Sequence, residues 1–203
     1  MAEWELAPLP KGRHQLSREQ VQDAQRIRLA VALAEEMAAA GYVGTPVAAV
    51  LKRAGVSRQT FYELYRDKHA CFLDALDLVG AVLLADLGTV AVDGTPLERA
   101  LGALDAYLDT MAAHPSFARL YLVEVHAAGP EAMARRAALQ DQVVDALAGL
   151  LGADGGDARF ACRAYVAAVA SLVTLPVAAG DQAGLDELRR PLRTLLEELA
   201  ARR

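Results

Sequence analysis

Apolar residues recur at helical spacing along almost the whole chain, interrupted at glycine and proline positions that cut it into helices. Residues 1–16 lack periodicity and hold Pro8, Pro10 and Gly12, the pattern of a flexible extension. Ser17 opens the first long helix, with Gln20 three residues on as a capping box. Its apolar positions are Ile27, Val31, Ala34 and Ala38, with Leu29, Leu33 and Met37 beside them, and it ends at Gly41. Val47, Val50 and Leu51 give residues 45–53 one buried helical face, with Thr45 as the cap and Pro46 at the first helical position. Ala54-Gly55-Val56 forms the break, since glycine permits the positive φ of a sharp turn. Ser57 then caps a second short helix whose Phe61 and Tyr65 point inward with Val56.

Asp67 caps a long helix that starts at Lys68 and runs through Phe72, Leu73, Leu76, Val79 and Leu83 to about Val90. Gly94-Thr95-Pro96 resets the pattern, and Thr95 caps a helix to about Ala113 carrying Leu97, Leu101, Leu104, Leu108 and Met111. Residues 116–128 place Phe117, Leu120, Tyr121, Glu124 and Ala128 on one stripe. Glu124 is costly there without a partner, so it either pairs with an arginine or hydroxyl or faces a ligand cavity. Gly129-Pro130 precedes a helix to about Leu151, and residues 152–157 are a polar, glycine-rich loop. Residues 158–179 form a smooth helix in which Ala161, Ala164, Ala167, Ala168, Ala170 and Ser171 allow close helix contact. The last helix, from about Leu185, presents Leu188, Leu192, Leu195 and Leu199, and Pro191 should kink or divide it.

The two short helices around Gly55 carry the chemistry. With Phe61 and Tyr65 inward, Arg58, Gln59 and Tyr62 lie outside, and Thr60 sits beside them in the first turn. Arginine and glutamine can pair bidentately with guanine and adenine edges in the major groove. Helix, glycine turn and a second helix with donors at its start is the helix-turn-helix design. A helical hairpin with a solvated polar face is the plainer alternative. Leu64 reaches a thymine methyl or packs at the edge of the head.

Gly41-Tyr42 followed by Thr45, then KRAGVSRQTFYELYRDKHACFLDAL, resembles the N-terminal domain of the tetracycline-repressor (TetR) family of bacterial transcriptional regulators. The resemblance covers about residues 26–77; beyond it only length and helical character are shared. It implies an all-α chain: a flexible extension (1–16), a three-helix helix-turn-helix DNA-binding domain (17–68) and a helical ligand-binding and dimerisation domain (69–203). In that frame Arg58 and Gln59 meet base edges, with Ser57 capping their helix. Thr45, Thr60, Tyr62 and Lys68 hold the DNA backbone, and Arg26 and Arg28 approach its phosphates. The implied partners are a palindromic double-stranded operator, a small-molecule effector that releases a repressor from it, and a second copy paired through the last two long helices. Lys11, Arg13 and His14 are candidates for a minor-groove arm.

Charge distribution agrees with a local nucleic-acid footprint. Residues 1–68 carry ten Lys/Arg against eight Asp/Glu, whereas the remainder carries eleven against eighteen. Cys71 and Cys162 show no metal-ligand spacing and read as buried thiols in a reducing compartment. The N-terminus holds no signal-peptide run, and the uncharged stretch 164–180 is short for a membrane span, so it reads as a buried helix of a cytoplasmic protein. No Walker loop, GxSxG or HExxH pattern occurs and the four histidines are scattered, so neither catalysis nor a cofactor is expected. Tyr107, Met111, Phe117, Tyr121, Glu124 and Tyr165 are the expected lining of an effector pocket. A helical carrier or enzyme with a vestigial head, or a protein-binding adaptor, is the alternative reading.

Overall fold

The computed structural model describes residues 17–89 and 94–201, so the candidate arm at residues 11–14 lies outside the described residues. All the regular structure among them is helical. Helix α1 (Arg18–Gly44) is the hub. Its capping box is complete: the Gln20 amide donates to Ser17 Oγ at 3.2 Å, and the Ser17 amide to Gln20 Oε1 at 2.8 Å. The expected stripe is wrong at its ends, because Ile27 and Ala38 are exposed. Instead Leu29 through Ala34 are buried without interruption. A helix buried all round needs neighbours on every side, and α1 has them: α2 (Val47–Ala54), α4 (Lys68–Thr89) and, from the body, α6 (residues 115–128).

The head closes with α3 (Arg58–Leu64), which follows α2 across Gly55 at φ 62°. Val56, Phe61 and Tyr65 bury the inner face of this turn as expected. Thr45, however, does not cap α2. That helix starts after Pro46, and the Thr45 hydroxyl donates instead to the Gly41 carbonyl at 2.8 Å. The cause is Gly41, whose φ of 70° and ψ of 168° break α1 and swing the chain back toward its own end. Asp67 caps α4 as expected, accepting from the Ala70 amide at 2.8 Å. Through Phe72, Leu76, Val79 and Leu83, α4 then runs from the head into the body.

In the body, α5 (Pro96–Ala113) begins at a second capping box, Thr95 with Glu98. Helix α6 is assembled from Pro115–Arg119, a π-helical turn at Leu120–Glu124, and Val125–Ala128. Helix α7 (Pro130–Leu151) lies so close to α4 that a Cβ at Gly80 would overlap the Leu139 side chain. Helix α8 (Gly156–Ala179) is followed by α9 (Gln182–Glu187) and α10 (Arg189–Ala201). The chain divides at Leu188, which leaves Pro191 in the first turn of α10, where a missing amide costs little. In that leucine series it is Leu196 that is buried with Leu192, while Leu195 is exposed.

Helix α8 departs from expectation. At 24 residues it is long and apolar enough to cross a membrane, because it begins well before the uncharged stretch. It is also not a buried helix. Cys162, Tyr165, Val169 and Val173 face the body, whereas Phe160 (69% exposed) and Leu175 (76%) point outward. Between them Ala164, Ala167 and Ser171 continue the outward stripe.

Candidate functional site

The outward face of α3 is built from local chemistry. Ser57 Oγ accepts from the Thr60 amide at 3.0 Å and lies 2.9 Å from the Thr60 hydroxyl, which fixes the first turn. Phe61 below it meets Tyr62 edge-on and Tyr65 at a tilt, with ring centroids 5.3 and 5.6 Å apart. This anchoring leaves Arg58, Gln59 and Tyr62 in solvent, Tyr62 at 48% exposure. The Arg58 guanidinium stands 5.7 Å from the Tyr62 ring centroid, and Gln59 donates to Glu63 Oε1 at 2.9 Å. Both contacts are exposed and weak, so either side chain can exchange its partner for a base edge. Leu64 is half-buried and packs at the edge of the head core.

The residues expected to hold the DNA backbone are not all free to do so. Thr45 is 1% exposed with its hydroxyl committed to Gly41, so it cannot reach a phosphate in this conformation. The Lys68 ammonium donates to the carbonyls of Tyr42 (2.6 Å) and Thr45 (2.8 Å) and lies 4.6 Å from the Tyr42 ring centroid. Burial holds its pKa below the ordinary lysine value. Lys68 is thus first a clamp between α4 and the end of α1. Arg26 pairs with Asp74 at 3.6 Å, and Asp74 in turn accepts from the Tyr65 hydroxyl. Arg28 lays its guanidinium over Gly55, where a Cβ would stand 2.8 Å from it. The roles of Tyr42 and Asp74 were not legible, since their partners lie far along the chain.

Glu124 resolves the question the sequence left open. It is 5% exposed and does not line the cavity of the body described below. Its Oε1 accepts from Arg119 Nε at 3.0 Å, and its Oε2 accepts from the backbone amide of Tyr42 at 2.7 Å. The arginine continues to the Ala178 carbonyl at the end of α8, at 2.9 Å. One buried carboxylate therefore joins the head, at its Gly41 break, to two helices of the body. It occupies the last position of the π-helical turn in α6.

A cavity of about 140 Å³ opens within the body between α4, α5, α6, α7, α8 and α10. Tyr107, Tyr121 and Tyr165 line it, together with Leu104, Val143, Val166 and Gln140. Met111 and Phe117 do not; they are buried in the core one turn away, and Glu124 is at the head. The wall is mostly apolar, and burial pushes the phenols of all three tyrosines up. Tyr165 donates to the Leu192 carbonyl at 3.1 Å, tying α8 to α10. Arg136 is 9% exposed and stands 5.4 Å from the Tyr121 ring centroid. Cys71 and Cys162 are both buried, and burial pushes the Cys71 thiol up to about 12. Among the described residues no group of three or more His, Cys, Asp or Glu could hold a metal.

Residues 29–75 match the family model described as bacterial regulatory proteins, tetR family. No curated protein matches the chain. Among solved structures, a transcriptional regulator from Rhodococcus sp. RHA1 superposes with a TM-score of 0.73 at 22% identity, over 86% of this chain and 95% of that one. The regulator FadR from Bacillus subtilis, solved with stearoyl-CoA, gives 0.73 at 19% identity, over 84% and 96%. A fatty acid degradation regulator, FadR from Bacillus halodurans, gives 0.68 at 18%, over 83% and 96%. These likenesses extend the fold agreement through the body, where the family model ends. Over residues 29–75, then, this chain is similar to the bacterial regulatory proteins of the tetR family.

Proposed function

We propose that this protein is a ligand-responsive, DNA-binding transcriptional regulator, a homodimeric repressor that a small molecule releases from a palindromic operator. The observation that carries the reading is α3: a Ser57-capped helix, anchored by Phe61 and Tyr65, that keeps Arg58, Gln59 and Tyr62 in solvent. Arg58 and Gln59 are the base readers in this proposal, with Thr60 and Tyr62 on the backbone beside them. Arg26 and Arg28 reach phosphate only by leaving Asp74 and the Gly55 turn.

The outward stripe of α8, from Phe160 through Ala164, Ala167 and Ser171 to Leu175, supports pairing with a second copy. Exposed leucine and phenylalanine flanking small residues suit close helix packing, and exposed Leu195 on α10 extends the surface. The 140 Å³ cavity supports effector binding, and a structural neighbour was solved with stearoyl-CoA. Release follows as a population shift: an effector that favours the conformation with displaced heads lowers operator affinity by its differential affinity for the two states. The protein would work in the cytoplasm, with its DNA.

Selection of bound duplexes from a random library, followed by anisotropy titration, tests the reading. The recovered site should be palindromic, bind two chains, and lose affinity steeply with salt. Arg58→Ala should cost about 1–3 kcal/mol on that site and little on random duplex. A helical carrier with an inert head would enrich no sequence at all.

A further inference from the structure

Four of the half-buried arginines of the body are matched to carboxylates. Arg119 pairs with Glu124, Arg135 with Asp77, and Arg189 and Arg193 share Asp105. Arg136 is more deeply buried than any of these, yet no ion pair is formed by it among the described residues. Its Nε has no hydrogen-bond partner at all. The guanidinium rests against one face of Tyr121, whose ring forms part of the cavity wall. A guanidinium stays charged at any physiological pH, so desolvation cannot neutralise it as it would a carboxyl or an amine. The position is a charge taken out of water without its counter-ion.

The helix that carries Arg136 shows what it faces. Gln140, Val143 and Leu147 line the cavity and follow Arg136 by four, seven and eleven residues, so all four share one face of α7. The charge of Arg136 is also felt by both Tyr107 and Tyr121, the two phenols on the adjoining wall. Tyr107, Tyr121 and Gln140 thus give an otherwise apolar chamber, lined by leucine and valine, a donor-rich end, and Arg136 stands behind it against the Tyr121 ring.

We propose that the cavity takes an amphipathic anion, a hydrocarbon body ending in a carboxylate or phosphate, and that Arg136 is the counter-charge that selects it. This rests on the cavity being the effector site. The anionic head settles beside Tyr121, accepting from the phenols and drawing on the guanidinium. The hydrocarbon lies among Leu104, Val143 and Val166. A neutral molecule of the same shape would leave the arginine as it stands in the empty protein. A cationic one would oppose it.

Calorimetry with octanoate, octyl phosphate, 1-octanol and octylammonium at pH 7.5 tests this on the whole protein. Wild type should bind the two anions about tenfold or more tighter than octanol, as expected for a charge-assisted contact, with octylammonium weakest. The two anions are ranked against each other to separate carboxylate from phosphate. In Arg136→Met the ratio of octanoate to octanol should fall to near one, with octanol binding kept; Arg136→Gln serves if the methionine variant fails to fold. Equal binding of octanoate and octanol by wild type, or an unchanged ratio in the variant, overturns the proposal and leaves the cavity as an effector site. If no octyl probe binds, the effector-site reading itself falls, and this inference with it.

Discussion

Two charged side chains are buried in the same helical body, and they are treated in opposite ways. Glu124, at the seam with the head, has both oxygens occupied by donors, Arg119 and the Tyr42 amide. Arg136, beside the cavity, has an aromatic face and an orphaned Nε. A charge that only holds a fold together is surrounded as Glu124 is, because each unmet lone pair would cost free energy. A charge left short of partners is maintained at a loss in the empty protein, and the loss is recovered only when something else supplies the partner. Glu124 is thus satisfied within the chain, and Arg136 Nε is not.

Removing the satisfied charge should do the most damage. Glu124→Ala strands Arg119 and a buried amide together, and should lower unfolding free energy by about 3 kcal/mol, the low end for a buried pair because Arg119 is partly exposed. Urea denaturation measures it directly. Gly41→Ala attacks the same seam from the backbone. At φ 70° and ψ 168° a residue with a Cβ is strained, although the space beside Glu124 would admit one, so a loss of about 1–3 kcal/mol is expected by the same assay. The smallest effect should come from Arg136→Met, within about 1 kcal/mol of wild type or more stable, since a hydrophobic side chain replaces a charge with no ion-pair partner. If Arg136→Met proved as damaging as Glu124→Ala, the contrast between the two regions would collapse.

How far the sequence revealed these regions depended on how far apart the partners lie. The Ser17 box, the Gly55 turn and the Ser57 cap involve residues within four of one another, and all three stand where the local pattern put them. Thr45 misled for a tertiary reason: a threonine before proline reads as a cap, but the Gly41 break brings a carbonyl within reach of its hydroxyl first. The Tyr42 amide and Glu124 are 82 residues apart, so the stripe could show that Glu124 was buried but not by what it was met. The same limit governed the cavity. Tyr107, Tyr121 and Tyr165 line the cavity, while Met111 and Phe117, on the same helices, turn by a fraction of a turn into the core. Arg136 sits in a run of alanines and polar residues with no stripe of its own to mark it as buried.

The bond between Glu124 and Tyr42 is made to a main-chain amide, a group that every residue but proline possesses. That one bond is indifferent to the side chain at position 42, whereas the Tyr42 ring adds contacts of its own, meeting Phe72 edge-on with ring centroids 5.3 Å apart. What the bond requires is the shape of the chain at Gly41. A substitution of Tyr42 by any residue but proline should therefore keep the amide bond to Glu124 and lose only the ring contacts, so the joint is a socket cut to a backbone contour with an aromatic ring laid over it.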